Sequence, residues 1–144
     1  MRERALRLLA LREYARAGLA RKLAAHAGSV DELEALLDDL SQSGLLSDAR
    51  YMELRVRTRG ARYGNARLAQ ELGAAGVDKD LVESGLAVVG DELARAREVW
   101  QRKFGMQGGA SDAVERSRQT SFLMRRGFSG ETIRRVLRGD HDDD

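Results

Sequence analysis

The sequence predicts an all-α chain of three tandem three-helix repeats, and three observations carry that prediction. No proline interrupts the 144 residues, and the β-branched residues are too scattered to make strands. Cap residues and glycines recur at spacings that mark off helices of about ten residues joined by short turns. The third observation is an internal repeat. Setting LAQELGAAGVDKDLVESGL against TSFLMRRGFSGETIRRVL at an offset of 51 superposes Leu72 on Leu123, Gly76 on Gly127, Val77 on Phe128, Val82 on Ile133 and Leu86 on Leu137. An offset of 49 brings in the first third, matching Tyr14 with Tyr63, Leu19 with Leu68, Leu23 with Leu72, Leu33 with Val82 and Leu37 with Leu86, while Gly28 falls one residue late. The predicted units are residues 1–46, 47–90 and 91–139, followed by an acidic tail, 140–144, expected to be disordered. Each unit buries a leucine face against its own helices and its neighbours, which predicts an elongated, curved molecule.

Taken in order, the elements show their signals locally. The opening stretch MRERALRLLALREYARAG alternates charge with leucine, so it is neither a spanning helix nor the apolar core of a secretory leader. In SVDELEALLDDL, Ser29 with Glu32 three residues later forms a capping box, and Asp31 and Glu32 complement the helix dipole. Leu33, Leu36, Leu37 and Leu40 form the inward stripe of the same helix. Ser47 or Asp48 is the expected cap of the next helix, then Asn65, Asp78, Ser111 and Ser129, while Gly28, Gly44, Gly76 and Gly127 mark the turns. Trp100 and Phe104, four apart on one helix, read as core.

Composition narrows the function. Without cysteine there is no disulfide framework and no thiolate metal site, which fits a cytoplasmic protein. The two histidines, His26 and His141, are too far apart in kind of setting to build a nucleophile pair or a metal cluster. Asp38 and Asp39 are adjacent on a helix and point apart. The glycine-rich stretch GMQGGAS, residues 105–111, follows a helix and lacks the lysine of a phosphate loop, so it reads as a linker. The expectation is a monomeric, non-enzymatic protein without cofactor or metal and without a membrane role.

Charge is where the sequence is informative. The chain holds 25 basic and 23 acidic residues, but Asp140, Asp142, Asp143 and Asp144 sit in the terminal GDHDDD, leaving 25 bases against 19 acids elsewhere. Residues 50–67 hold Arg50, Arg55, Arg57, Arg59, Arg62 and Arg67 against Glu53 alone, whereas residues 31–39 hold five acids and no base. On one continuous helix Arg55, Arg59 and Arg62 would form a stripe at i, i+4 and i+7, with Tyr63 beside it. Guanidinium groups pair in planar, bidentate fashion with carboxylate or phosphate. Two readings stand: a solvated face paired to the acidic helix 31–40 with Tyr63 in the core, or a surface for a polyanionic partner. Arg125, Arg126, Arg134, Arg135 and Arg138 make a second basic region, the last three at a helix C-terminus that favours cations by itself.

Four stretches, ALRLLALREYARAGLARKL, GLLSDARYMELRVRTR, YGNARLAQELGAAGV and RQTSFLMRRGFSGETIRRVL, resemble the RecX family of bacterial regulatory proteins, in the same order and over residues 3–138. Gly18 stands where that family commonly has an acid, and Asn65 where proline usually follows glycine. The resemblance implies a cytoplasmic protein of three three-helix repeats. It would bind the RecA recombinase filament on single-stranded DNA, lie in the filament's helical groove, and restrain its ATPase, strand-exchange and coprotease activities. The contact residues follow from charge and not from the resemblance: Arg50, Arg55, Arg57, Arg59, Arg62, Tyr63 and Arg67, with Arg125 and Arg126. The alternative from another class is a stand-alone DNA-binding helical module of low sequence specificity, with weak direct DNA binding.

Overall fold

A computed structural model describes residues 1–107 and 112–139. Its helices are α1 (Arg2–Leu11), α2 (Arg16–Leu23), α3 (Val30–Gln42), α4 (Asp48–Arg59), α5 (Asn65–Ala74), α6 (Lys79–Val88), α7 (Glu92–Phe104), α8 (Ala113–Arg125) and α9 (Gly130–Arg138). Short 3-10 turns follow α2 and α7. Every substantial helix–helix packing lies within the triplets α1–α3, α4–α6 and α7–α9, the arrangement of a quasi-one-dimensional repeat array. Ser111 and the tail 140–144 lie outside the described residues, as does most of the glycine-rich linker.

The repeat predicted from sequence is a repeat of core positions. Leu72 and Leu123, Val77 and Phe128, and Val82 and Ile133 are all buried, as are Leu19, Leu23, Leu37 and Leu68. Gly76 and Gly127 occupy the same left-handed corner, with φ of +88° and +91°, a conformation that disfavours any residue with a Cβ. The first triplet departs here: α2 runs into a 3-10 turn at Ala24–His26 instead of a left-handed glycine, which explains why Gly28 falls out of register.

Most caps fall where expected. Ser29, Ser47, Asp78 and Ser129 each accept a backbone N–H of their own helix. Two expected caps are corrected. Asp112, not Ser111, caps α8. Asn65 does not cap α5 either: it is the first helical residue after Gly64, and its backbone N–H donates to Glu92 Oε2 at 2.8 Å.

That second correction reveals how triplets stack. Glu92 is the first residue of α7 and caps α5 of the preceding triplet. One step earlier, Asp48, the first residue of α4, accepts from Arg16 N at 2.7 Å and so caps α2. In both cases the leading acid of one triplet satisfies the exposed N–H groups and positive dipole end of the previous triplet's second helix. The corner glycines repeat the relation. A Cβ on Gly76 would collide with Ala17, and one on Gly127 with Arg67, each near the start of that same second helix.

Between the second and third triplets this contact becomes a seam of backbone on backbone. Gly64 N donates to Arg126 O (2.7 Å) and Ala66 N to Gly127 O (3.3 Å). A Cβ on Gly64 would sit far inside contact distance of the Gly127 carbonyl and Phe128 N. Arg95 lies beneath, 9% exposed. It donates to the carbonyls of Gly60 (3.0 Å) and Tyr63 (2.8 Å) and to Asn65 Oδ1 (2.8 Å). Burial draws the pKa of this guanidinium below its ordinary value, opposed by the neighbouring charges of Glu92 and Asp91.

The seam and the end of α5 yield three expectations. Gly64→Ala should destabilise by about 1–3 kcal/mol because the added methyl forces backbone apart. Gly73→Ala, in the last turn of α5 with open space around it, should stabilise by about 0.5–1 kcal/mol. Denaturant midpoints of the two variants should therefore move in opposite directions. Arg95→Met strands the carbonyls of Gly60 and Tyr63 without a donor and should cost about 3–5 kcal/mol, read as a lowered unfolding midpoint by circular dichroism.

Candidate partner-binding surface at the seam

Helix α4 carries the first four arginines of the basic stretch, but it stops at Arg59, with Gly60 as its C-cap. The predicted continuous stripe Arg55–Arg59–Arg62 is therefore broken, and Arg62 stands on the turn beyond the helix. The turn is tied down: Tyr63 N and Arg62 N both donate to Arg59 O at 3.0 Å, and Arg95 holds the carbonyls on either side.

Nor do these arginines pair with the acidic helix of the first triplet. Three of the five α3 acids are taken by α1 and α2: Asp39 by Arg2 at 3.0 Å, Glu34 and Asp38 by Arg16 at 2.7 and 2.8 Å. Arg50 instead reaches Glu13, and it also donates to Gly44 O and Leu45 O at 2.8 and 3.2 Å. Arg57 pairs with Glu53 one turn back at 2.8 Å, both side chains well exposed, an arrangement of little energetic consequence. Arg55 donates to Tyr51 Oη at 3.3 Å. Of the residues singled out in the sequence, Arg50 and Arg57 thus point to other carboxylates.

Three of the others, Arg59, Arg67 and Arg126, converge on Tyr63. Its half-buried ring lies under three guanidinium groups: Arg67 at 4.2 Å, Arg59 at 4.5 Å and Arg126 at 5.2 Å from the centroid. The ring quadrupole attracts each cation, so it gathers charges that would otherwise spread apart. Arg59 makes a bidentate pair with Glu71 at 2.6 and 2.8 Å, and that hydrogen bond raises its pKa above the ordinary arginine value. Arg67 approaches the same carboxylate at 3.8 Å and donates to Arg125 O at 3.1 Å. Tyr63 is neither a core residue nor a free anchor, but the organiser of a cationic cluster. Arg55 adjoins the cluster across a shallow cleft that it shares with Arg59 and Glu71. Arg125, exposed, flanks it from α8.

On the other side of the turn lies a cleft of about 500 Å³ whose lining includes Arg62, Arg102, Lys103, Phe122 and Arg126. Arg102 and Lys103 were not singled out from the sequence. The available signal was WQRKF, two adjacent bases between aromatic residues. Phe122 stacks edge-on to the buried Phe104, with centroids 5.3 Å apart, while Trp100 donates to buried Gln119 at 2.8 Å. The expected core role of Phe104 is met, and Trp100 is half-buried against the same core. Among the described residues no group of three or more His, Cys, Asp or Glu side chains is arranged to hold a metal ion, and no helix is long and apolar enough to cross a membrane.

Two family models match this chain: the second three-helix domain of RecX over residues 47–86, and the third over residues 90–137. Similar relatives include the regulatory protein RecX of Leptothrix cholodnii, 50% identical over all of this chain and 92% of its own length. That of Herminiimonas arsenicoxydans is 46% identical, over all of this chain and 95% of its own length. The crystal structure of RecX from Lactobacillus salivarius has the same fold, with a TM-score of 0.84 at 20% identity over 96% of this chain and 92% of the other. Three-helix domains in series and full-length identity near one half lead to one conclusion: this chain belongs to the RecX family of regulatory proteins.

Proposed function

We propose that this protein regulates RecA: that it binds the recombinase filament on single-stranded DNA, lies in the helical groove, and restrains ATP hydrolysis, strand exchange and coprotease activity in the cytoplasm. The observation that supports this reading best is the cationic cluster on Tyr63, placed where two stacked triplets meet. Five of the residues singled out from charge, Arg59, Tyr63, Arg67, Arg125 and Arg126, come together there. A partner that repeats along a groove can engage successive triplets, so weak contacts at each add through multivalency. The cluster is already assembled by ring and seam, which lowers the entropy lost on binding. Within it, Arg125 and the adjoining Arg55 are exposed and belong to no ion pair among the described residues, so they are the side chains best able to meet acidic protein surface. No step of chemistry is asked of the chain; it acts by occupancy.

The test is RecA-dependent ATP hydrolysis on single-stranded DNA, with this protein added at increasing ratios. The parent should inhibit below one copy per RecA. The double variant Arg55→Glu, Arg125→Glu should require at least about ten times more protein, the scale of two exposed charge contacts reversed at an interface, while its thermal unfolding stays within a degree or two. Absence of inhibition by the parent sinks the reading. Equal inhibition by both sinks the surface and leaves the regulation.

A further inference from the structure

Around Glu71 and Glu53 the arginines of this protein have carboxylate partners, but those of the cleft beneath the 61–62 turn do not. Arg62, Arg102, Lys103 and Arg126 form no ion pair among the described residues, and no acid lines the cleft they share. Four like charges gathered in one concave place repel one another and raise the local potential. Specific contacts nevertheless hold them there. Arg102 is anchored by donating to Ala61 O at 2.6 Å. Lys103 and Arg126 sit 5.5 and 5.1 Å from the Phe122 ring centroid. Arg62 is carried on the turn that the seam locks.

The cleft is also one-sided in hydrogen bonding. Its polar side chains only donate, and two backbone carbonyls of its lining are already engaged, Ala61 O by Arg102 and Arg126 O by Gly64 N. Val99 and Phe122 supply the apolar remainder. An acidic peptide would bring a backbone N–H at every residue into a place with no free side-chain acceptor. A phosphodiester backbone brings acceptors only: phosphate, ester and ring oxygens. A space of about 500 Å³ takes a short length of one strand, whereas the stiff, wide body of a duplex stays at its mouth.

We propose that this cleft binds the sugar-phosphate backbone of single-stranded nucleic acid, and does so without a recombinase. The cleft shares Arg126 with the Tyr63 cluster but neither of that cluster's exposed contacts, Arg55 and Arg125, and its test contains no RecA, so failure here leaves the regulatory reading untouched.

The experiment is fluorescence anisotropy of a labelled oligothymidylate against this protein over a range of salt concentrations. It compares the parent with Arg62→Ala, Lys103→Ala, and with a control that removes the same charge from the exposed face of α2, Arg21→Ala, Lys22→Ala. All four substituted side chains are exposed, and thermal melts of both variants verify folding. Losing two phosphate contacts should flatten the slope of log K against log salt by about 1.4 and weaken binding roughly 25-fold at 0.1 M salt. The control should stay within about two-fold of the parent, since the charge it removes lies outside the cleft. Equal weakening of both variants would overturn the site in favour of diffuse attraction, as would an absence of oligothymidylate binding by the parent at low salt. Competition completes the test: polyaspartate displacing the label as well as unlabelled oligothymidylate at equal charge, or duplex binding as tightly as the single strand, would overturn the assignment of the ligand.

Discussion

The stacking of this molecule depends on a carboxylate at the first residue of each leading helix after the first triplet. Asp48 and Glu92 each lie at a helix start, where an acid is favoured by its own helix, yet each points its oxygen at the first backbone N–H of the second helix in the triplet before. One acid thus serves two positive dipole ends. Glu92 goes further, since its other oxygen accepts from the Thr132 hydroxyl at 2.8 Å and ties α9 into the same junction. A helix whose N-terminus is capped from outside is fixed in position as well as stabilised, so the angle between triplets follows from where this acid reaches.

The two junctions share that device and differ in what surrounds it. Between the first and second triplets the arginine partner is Arg50, whose side chain is nearly half exposed. Between the second and third it is Arg95, buried, with its donors spread over three acceptors of the 60–65 turn. A buried guanidinium is costly unless its donors are satisfied, and satisfying them demands that the turn carbonyls hold their places. Gly60, Gly64 and Gly127 permit the close approach that makes this possible. The consequence is a turn with almost no freedom, and on that turn stand Arg62 and Tyr63, the residues around which the positive charge is organised.

The arginines accordingly divide into two populations. Arg16, Arg50 and Arg59 are held by carboxylates whose hydrogen bonds raise their pKa values; these shape the surface and join elements. In the cleft, Arg102 is held by a carbonyl and Arg126 by ring faces, contacts that position a charge without cancelling it. Cation–π contact and a neutral acceptor leave most of the field of a guanidinium directed outward, which is what an interaction surface for an anion requires.

How much of this was legible in the sequence follows from the range of the forces involved. Helix class, most cap residues and the three-fold repeat were readable because they rest on local rules: the period of leucines, hydroxyl or acid before a helix, glycine at a left-handed corner. Tyr63, Arg67 and Arg126 were singled out from charge and aromatic content, yet their meeting around one ring was not readable, since Arg126 is brought there from 63 residues further along the chain by the seam. Helix α4 ends at Arg59 with Gly60 as its C-cap, and beyond it the Gly60 carbonyl is taken by Arg95 of the next triplet, a contact that periodicity cannot anticipate. The capping of α5 by Glu92 in place of Asn65 has the same origin. The amino-acid sequence by itself determined which segments are helical, which faces are apolar and where positive charge is concentrated. Only tertiary structure decided which charges are neutralised, because pairing depends on distances between residues remote in the chain, and those distances are set by how one triplet seats on the next.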